Sequence, residues 1–166
     1  MKYLLVGVAM ALPLIASGAD NPDAAFYKNA AEGGMAEVEL GNLAQNKNAS
    51  STVKDYGAMM VSDHSAANDK LKSLASAKGL KLPTSPSVTQ MATKAKLEVL
   101  SGQTFDNSFI RAMVKDHEEA VALFKRESAD GQDPDAKAFA RTTLPTLQAH
   151  LKKIQSIATT AGIKPE

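Results

Sequence analysis

Four times in this chain a 3,4-spaced stripe of apolar and small residues persists for about 26 residues, and only the 3.6-residue period of an α-helix turns such a stripe onto one face. Punctuation bounds each run. Asn21-Pro22 and Asp133-Pro134 pair a capping side chain with a proline suited to the first helical position. Ser50-Ser51-Thr52 and Thr104 through Asp106 offer two further caps, and Gly79, Gly102, Gly131 and Gly162 stand where helices should stop. The spacing predicts helices over roughly 22–47, 51–78, 104–129 and 134–160, each about 40 Å long at 1.5 Å per residue.

Three of the connections are short, which makes their helices antiparallel neighbours. The exception is LKLPTSPSVTQMATKAKLEVLSG, which holds Pro83 and Pro86 and then a weaker helical run near 88–100. Its length suits a crossover along the whole bundle. The expected fold is therefore all-α: a ferritin-like antiparallel four-helix bundle with a long crossover connection that carries a short extra helix. Pro145 falls inside the last helix, where it removes a hydrogen bond or kinks the axis. Gly33-Gly34 costs the first helix about 1 kcal/mol per glycine relative to alanine, a cost that close approach of another group would explain.

Before the first helix, MKYLLVGVAMALPLIASGA has one basic residue, Lys2, then an apolar run, Pro13, and small residues at Ser17 and Ala19. These are the parts of a secretory signal peptide cleaved after Ala19. The apolar run falls short of the roughly 20 residues that span a bilayer. Residues 20–166 are then a single exported, periplasmic domain with no transmembrane segment, and an envelope protein is the partner such a location offers. Without Lys2 the chain has 18 basic and 18 acidic residues, so no net positive field favours nucleic acid. Cysteine is absent, which excludes disulfides, thiolate metal sites and thiol catalysis.

The inward stripes carry the chemistry. They read Phe26, Ala30, Gly33, Glu37, Leu40, Ala44; then Gly57, Met60, His64, Ala67, Leu71, Leu74; then Ile110, Met113, His117, Ala120, Phe124; then Ala140, Thr143, Leu147, His150, Ile154, Ile157, Ala161. Each is apolar or small except for one strongly polar member: Glu37, His64, His117 and His150, with Thr143 a milder exception. All four lie within about 5 Å of the middle of their helices. Midpoints of equal antiparallel helices meet, so these residues should share one layer, and all three histidines of the chain are spent on it.

Buried polar groups without partners cost about 1–3 kcal/mol each. Two arrangements satisfy the layer. Three imidazoles and a carboxylate suit one divalent transition metal ion, whether zinc, iron, manganese or copper. Alternatively the groups bond one another and a buried water, as a structural layer in a non-catalytic envelope or stress-associated interaction protein. Asp63 and Asp116 precede their histidines and point about 100° away. Each could fix the tautomer of a histidine on another helix, or stand in solvent. Met60 and Met113 lie one turn before His64 and His117 and serve either as soft ligands or as core filler. Val61, Val114 and Leu147 stand three residues before the histidines. The Glu-x-x-His signature of dinuclear iron sites is thus missing, and no local signature of a catalytic nucleophile is present.

With these residues in view, the chain resembles a bacterial family known as domain of unknown function 4142, exported proteins expected to be ferritin-like. The resemblance runs through FYKNAAEGGMAEVELGNLA, VKDYGAMMVSDHSAAN, FDNSFIRAMVKDHEEAVALF and LPTLQAHL in order, and Glu37, His64, His117 and His150 stand within those motifs. It implies a helical bundle and export, and leaves the chemistry to the residues.

Overall fold

The structure, a computed structural model, describes residues 23–47 and 49–163; the expected leader, its cleavage point and the Asn21-Pro22 cap lie outside them. The described residues form five helices: α1 (Ala24–Asn46), α2 (Ser51–Ala77), α3 (Val88–Glu98), α4 (Gly102–Asp130) and α5 (Pro134–Thr160). Among the described residues there is no strand. The expected boundaries hold to within two residues at every described end, because caps and glycines set them locally. Ser50 accepts from the Val53 amide to start α2, and Asp133 accepts from the Asp135 amide ahead of Pro134 to start α5. Ser87 and Gln90 close a reciprocal capping box on α3.

The start of α4 departs from expectation. Its N-cap is Ser101, which makes no side-chain capping bond, and Gly102 opens the helix at φ +55° rather than ending one. Glycine adopts that left-handed conformation without a Cβ clash, which lets the chain turn sharply out of α3. Asp106, expected to cap α4, instead accepts from the Ser50 amide at 3.1 Å and ties α4 to the α1–α2 turn. α5 runs unbroken through Pro145. Pro145 and Arg141 are both exposed, so the carbonyl deprived of its helical partner sits on the solvent side.

Contacts at the two ends fix the directions. At one end the Tyr27 hydroxyl donates to Asp133 (3.1 Å), and Lys78 pairs with Asp133 and Asp135 (both 2.9 Å). At the other, Ser50 meets Asp106 and the Lys47 ammonium donates to the Glu98 carbonyl. α1 and α5 therefore run one way, and α2 and α4 the other. Residues 78–101 climb the full length between them and carry α3, which is pinned to α1 by the Lys94–Glu39 pair (3.0 Å). α1 packs chiefly on α2 and α4 chiefly on α5, and the two hairpins meet with α1 beside α4 and α2 beside α5.

The interior divides into two apolar clusters. One gathers Leu40, Val53, Tyr56, Met60, Phe105, Phe109, Ile110, Met113 and Ile154 toward the α1–α2 turn. The other gathers Phe26, Tyr27, Leu71, Phe124, Phe139 and Leu147 toward the α4–α5 turn. Between them lies the polar layer.

Candidate metal centre

Each polar residue of the layer comes from the middle of one long helix, and each is buried: Glu37 is 5% exposed, His64 7%, His117 0% and His150 3%. The ring centroids of His64, His117 and His150 form a near-equilateral triangle with sides of 5.5–5.7 Å. One ring nitrogen from each lies within 4.8 Å of the others.

Hydrogen bonds on the far sides of two rings set which nitrogens face inward. His117 Nδ1 lies 2.9 Å from the Met113 carbonyl. A carbonyl only accepts, so Nδ1 carries the proton and Nε2 keeps its lone pair. His150 Nε2 donates to Asp63 Oδ2 at 2.9 Å, which leaves its Nδ1 as the lone-pair nitrogen. A carboxylate behind a histidine in this way fixes the tautomer and raises the basicity of the opposite nitrogen. Of the alternatives open to Asp63, the contact with a histidine on another helix is the one present. His64 Nε2, His117 Nε2 and His150 Nδ1 are all buried without a hydrogen-bond partner.

The electrostatics keep those lone pairs free. Burial, then repulsion from His117 and His150, pushes His64 down to about 3. Burial pushes His117 down to about 4 against the opposing Met113 carbonyl. His150 is also lowered by burial, with Asp63 opposing. All three rings are neutral at pH 7, the form that binds a metal.

Glu37 stands beside this triangle, with Oε1 3.5 Å from His117 Nδ1 and Oε2 buried without a partner. Burial, and then the Asp116 carboxylate, holds its carboxyl well above the ordinary carboxylate range. Asp116 is half-buried and pushed up to about 6, first by burial and then by Glu119, and its charge acts on Glu37. Met60 and Met113 are fully buried in the apolar cluster on one side of the layer.

Tyr56 belongs to the same neighbourhood and was not singled out from the sequence. It is fully buried, its ring centroid is 6.1 Å from that of His117, and its hydroxyl donates to the His150 carbonyl at 3.4 Å. The signal was present: Tyr56 falls one and then two turns before Met60 and His64 on the same stripe.

Large side chains close one side of the layer and small ones leave room on the other. One turn toward the α1–α2 turn stand Leu40, Met60, Met113 and Ile154, none more than 1% exposed. Toward the α4–α5 turn stand Gly33, Ala67, Ala120 and Thr143, all half-buried, and they line a cavity of about 440 Å³ that reaches Glu37, His64 and His150.

The fold is similar to that of a DUF305 protein from Streptomyces coelicolor (TM-score 0.75, 16% identity, 89% of this chain and 98% of that one). It is also similar to a DUF305 fragment from Deinococcus radiodurans (TM-score 0.73, 14% identity, 83% and 95%). No protein of curated function matches the sequence. The family described as domain of unknown function DUF4142 matches residues 11–157, and this chain belongs to it.

Proposed function

We propose that the protein is an exported, ferritin-like four-helix bundle that binds one divalent transition metal ion at its centre and acts in metal handling in the cell envelope. His64, His117 and His150 are the nitrogen ligands, and Glu37, which stands beside His117 Nδ1 and outside the converging group, becomes the fourth donor by turning its carboxylate toward them. The observation that carries this reading is the convergence of three buried imidazole nitrogens that bond neither one another nor any other protein group. A purely structural layer would satisfy those nitrogens through one another or through a shared buried water, a reading that titration with metal separates from an ion. A tetrahedral ion with bonds of about 2.0–2.1 Å needs nitrogens about 3.3 Å apart, so modest rotation of the rings inward brings them into range. The positive charge of an ion would also ionise Glu37. Export is supported by the leader-like first 19 residues and by the Streptomyces coelicolor neighbour, which is described as a candidate secreted protein.

The test is metal analysis of protein purified without an affinity tag, followed by calorimetric titration with zinc, iron(II), manganese(II) and copper(II). His117→Ala should weaken binding by at least about 100-fold, in line with the loss of one of three or four ligands. Glu37→Gln should weaken it less, since three nitrogens remain. An ion that binds only the folded state raises the melting temperature, so chelator should lower the melting temperature of loaded wild type and leave that of His117→Ala unchanged. If wild type binds no ion better than micromolar and His117→Ala alters only stability, the layer is structural.

A further inference from the structure

The cavity beside the layer is charged as well as open. Its wall includes Glu32, Glu37, Asp63, Asp116 and Glu119 against a single Arg126. Glu119 is exposed and Glu32 half-buried, whereas Glu37, His64 and His150 at the inner end are buried. Acidic side chains therefore line the cavity from its exposed mouth to the buried end at His64 and His150. Six waters at about 30 Å³ each would give a hydrated ion a volume of roughly 180 Å³, which the cavity of about 440 Å³ accommodates. On the other side of the layer, among the described residues, Tyr56, Met60 and Met113 are 0% exposed.

Resting on the metal reading above, we infer that this acid-lined cavity is the passage by which a hydrated divalent cation reaches and leaves the histidine layer, so that the ion is exchangeable cargo and not a sealed structural ion. Acidic walls of low dielectric concentrate cations and speed their arrival. Asn29 and Asn68 in the same wall supply neutral amide oxygens that replace water stepwise as the ion sheds its shell. The small residues that make the cavity are then functional. Gly33 is the sharpest case, because a Cβ there would meet only the Gln90 amide nitrogen at 3.8 Å; sterics do not require glycine, and an open passage does.

Stopped-flow loading with cobalt(II), read by visible absorbance, and release into excess chelator test the assignment. Gly33→Leu places a branched side chain in the passage without touching a ligand. Loading and release should slow by a common factor of about ten or more, leaving Kd within about twofold of wild type, because a narrowed path raises the same barrier in both directions. Glu32→Gln with Glu119→Gln should slow loading about tenfold at low ionic strength, and the difference should vanish at high salt. Circular dichroism checks that each variant is folded, and if Gly33→Leu is not, the charge variant decides. Wild-type loading rates in the folded variants would overturn the passage and leave the metal reading standing, as would a change in Kd without a change in loading rate. Failure of wild type to bind cobalt(II) at all would overturn the metal reading and the passage with it.

Discussion

The two halves of the molecule on either side of the histidine layer are built from the same helices but packed to different ends. Toward the α1–α2 turn, Tyr56, Phe105, Phe109, Met60 and Met113 are fully buried. The backbones of α1 and α2 approach so closely that a Cβ on Gly57 would lie 2.8 Å from the Gly41 carbonyl oxygen. Toward the α4–α5 turn, an aromatic trio of Phe26, Phe124 and Phe139 holds the end together, with centroids 5.1–6.3 Å apart, and the space between it and the layer is a polar-walled cavity. One half holds the rings still from behind, as the Met113 carbonyl does for His117. The other half gives the layer its access to solvent. The difference shows how side chains can be held rigidly and still be reached: packing density is concentrated on one face of the histidine layer.

Substitutions in the closed half should show the largest effects. Phe109→Ala removes a fully buried ring stacked on Phe105 and should cost about 3–5 kcal/mol in urea denaturation; a loss below about 1 kcal/mol would mean that this half is not close-packed. Gly57→Ala should cost about 1–3 kcal/mol, because the new methyl meets the Gly41 backbone and the Ala44 Cβ, neither of which can rotate away.

A third prediction concerns the outer end of the open half, where the buried Glu127 carboxyl stands near the Asp23 carboxylate. Asp23 accepts from the Gln132 and Asp133 amides. Burial, and then the Asp23 carboxylate, raises Glu127 from the ordinary value of 4.5 to about 7. A raised carboxyl stabilises the fold in its neutral form. That contribution is complete below pH 4.5 and is lost as pH rises through 7. Glu127→Gln mimics the neutral acid at every pH, so its stability relative to wild type should grow between pH 4.5 and pH 8. Parallel pH–stability curves for the two proteins would rule this out.

The smallest effect should have the opposite sign. Gly33→Ala in the open half meets no close atom and should stabilise by about 0.5–1 kcal/mol through helix propensity alone. The same exchange of glycine for alanine thus destabilises at Gly57 and stabilises at Gly33. If Gly33→Ala and Gly57→Ala shift the melting temperature in the same direction, the two halves are packed alike.

Much of this was legible in the sequence because it is local. Caps, glycines and prolines end the helices where Ser50, Ser87 and Asp133 stand, and the 3,4 spacing assigns the faces. Depth along a helix is arithmetic, so the arrival of Glu37, His64, His117 and His150 at one level followed from helix length. The misreading of Gly102 and Asp106 is equally instructive. Gly102 ends a helix or begins one according to where the chain must go next, and Asp106 found a stronger partner across the fold, in the Ser50 amide. The Glu127–Asp23 contact joins residues 104 positions apart, and no periodicity announces it.

What the sequence by itself determined is an all-helical chain with one polar residue at the middle of each long stripe, since helix period, capping and rise per residue are properties of the local backbone. Tertiary structure alone decided the chemistry of that layer. Asp63 reaches His150 from another helix and fixes its tautomer, because side-chain contacts between helices depend on their rotation and spacing. Small residues of all four long helices combine into a single cavity because α1 and α5 run opposite to α2 and α4, which brings Gly33, Ala67, Ala120 and Thr143 to the same side of the layer.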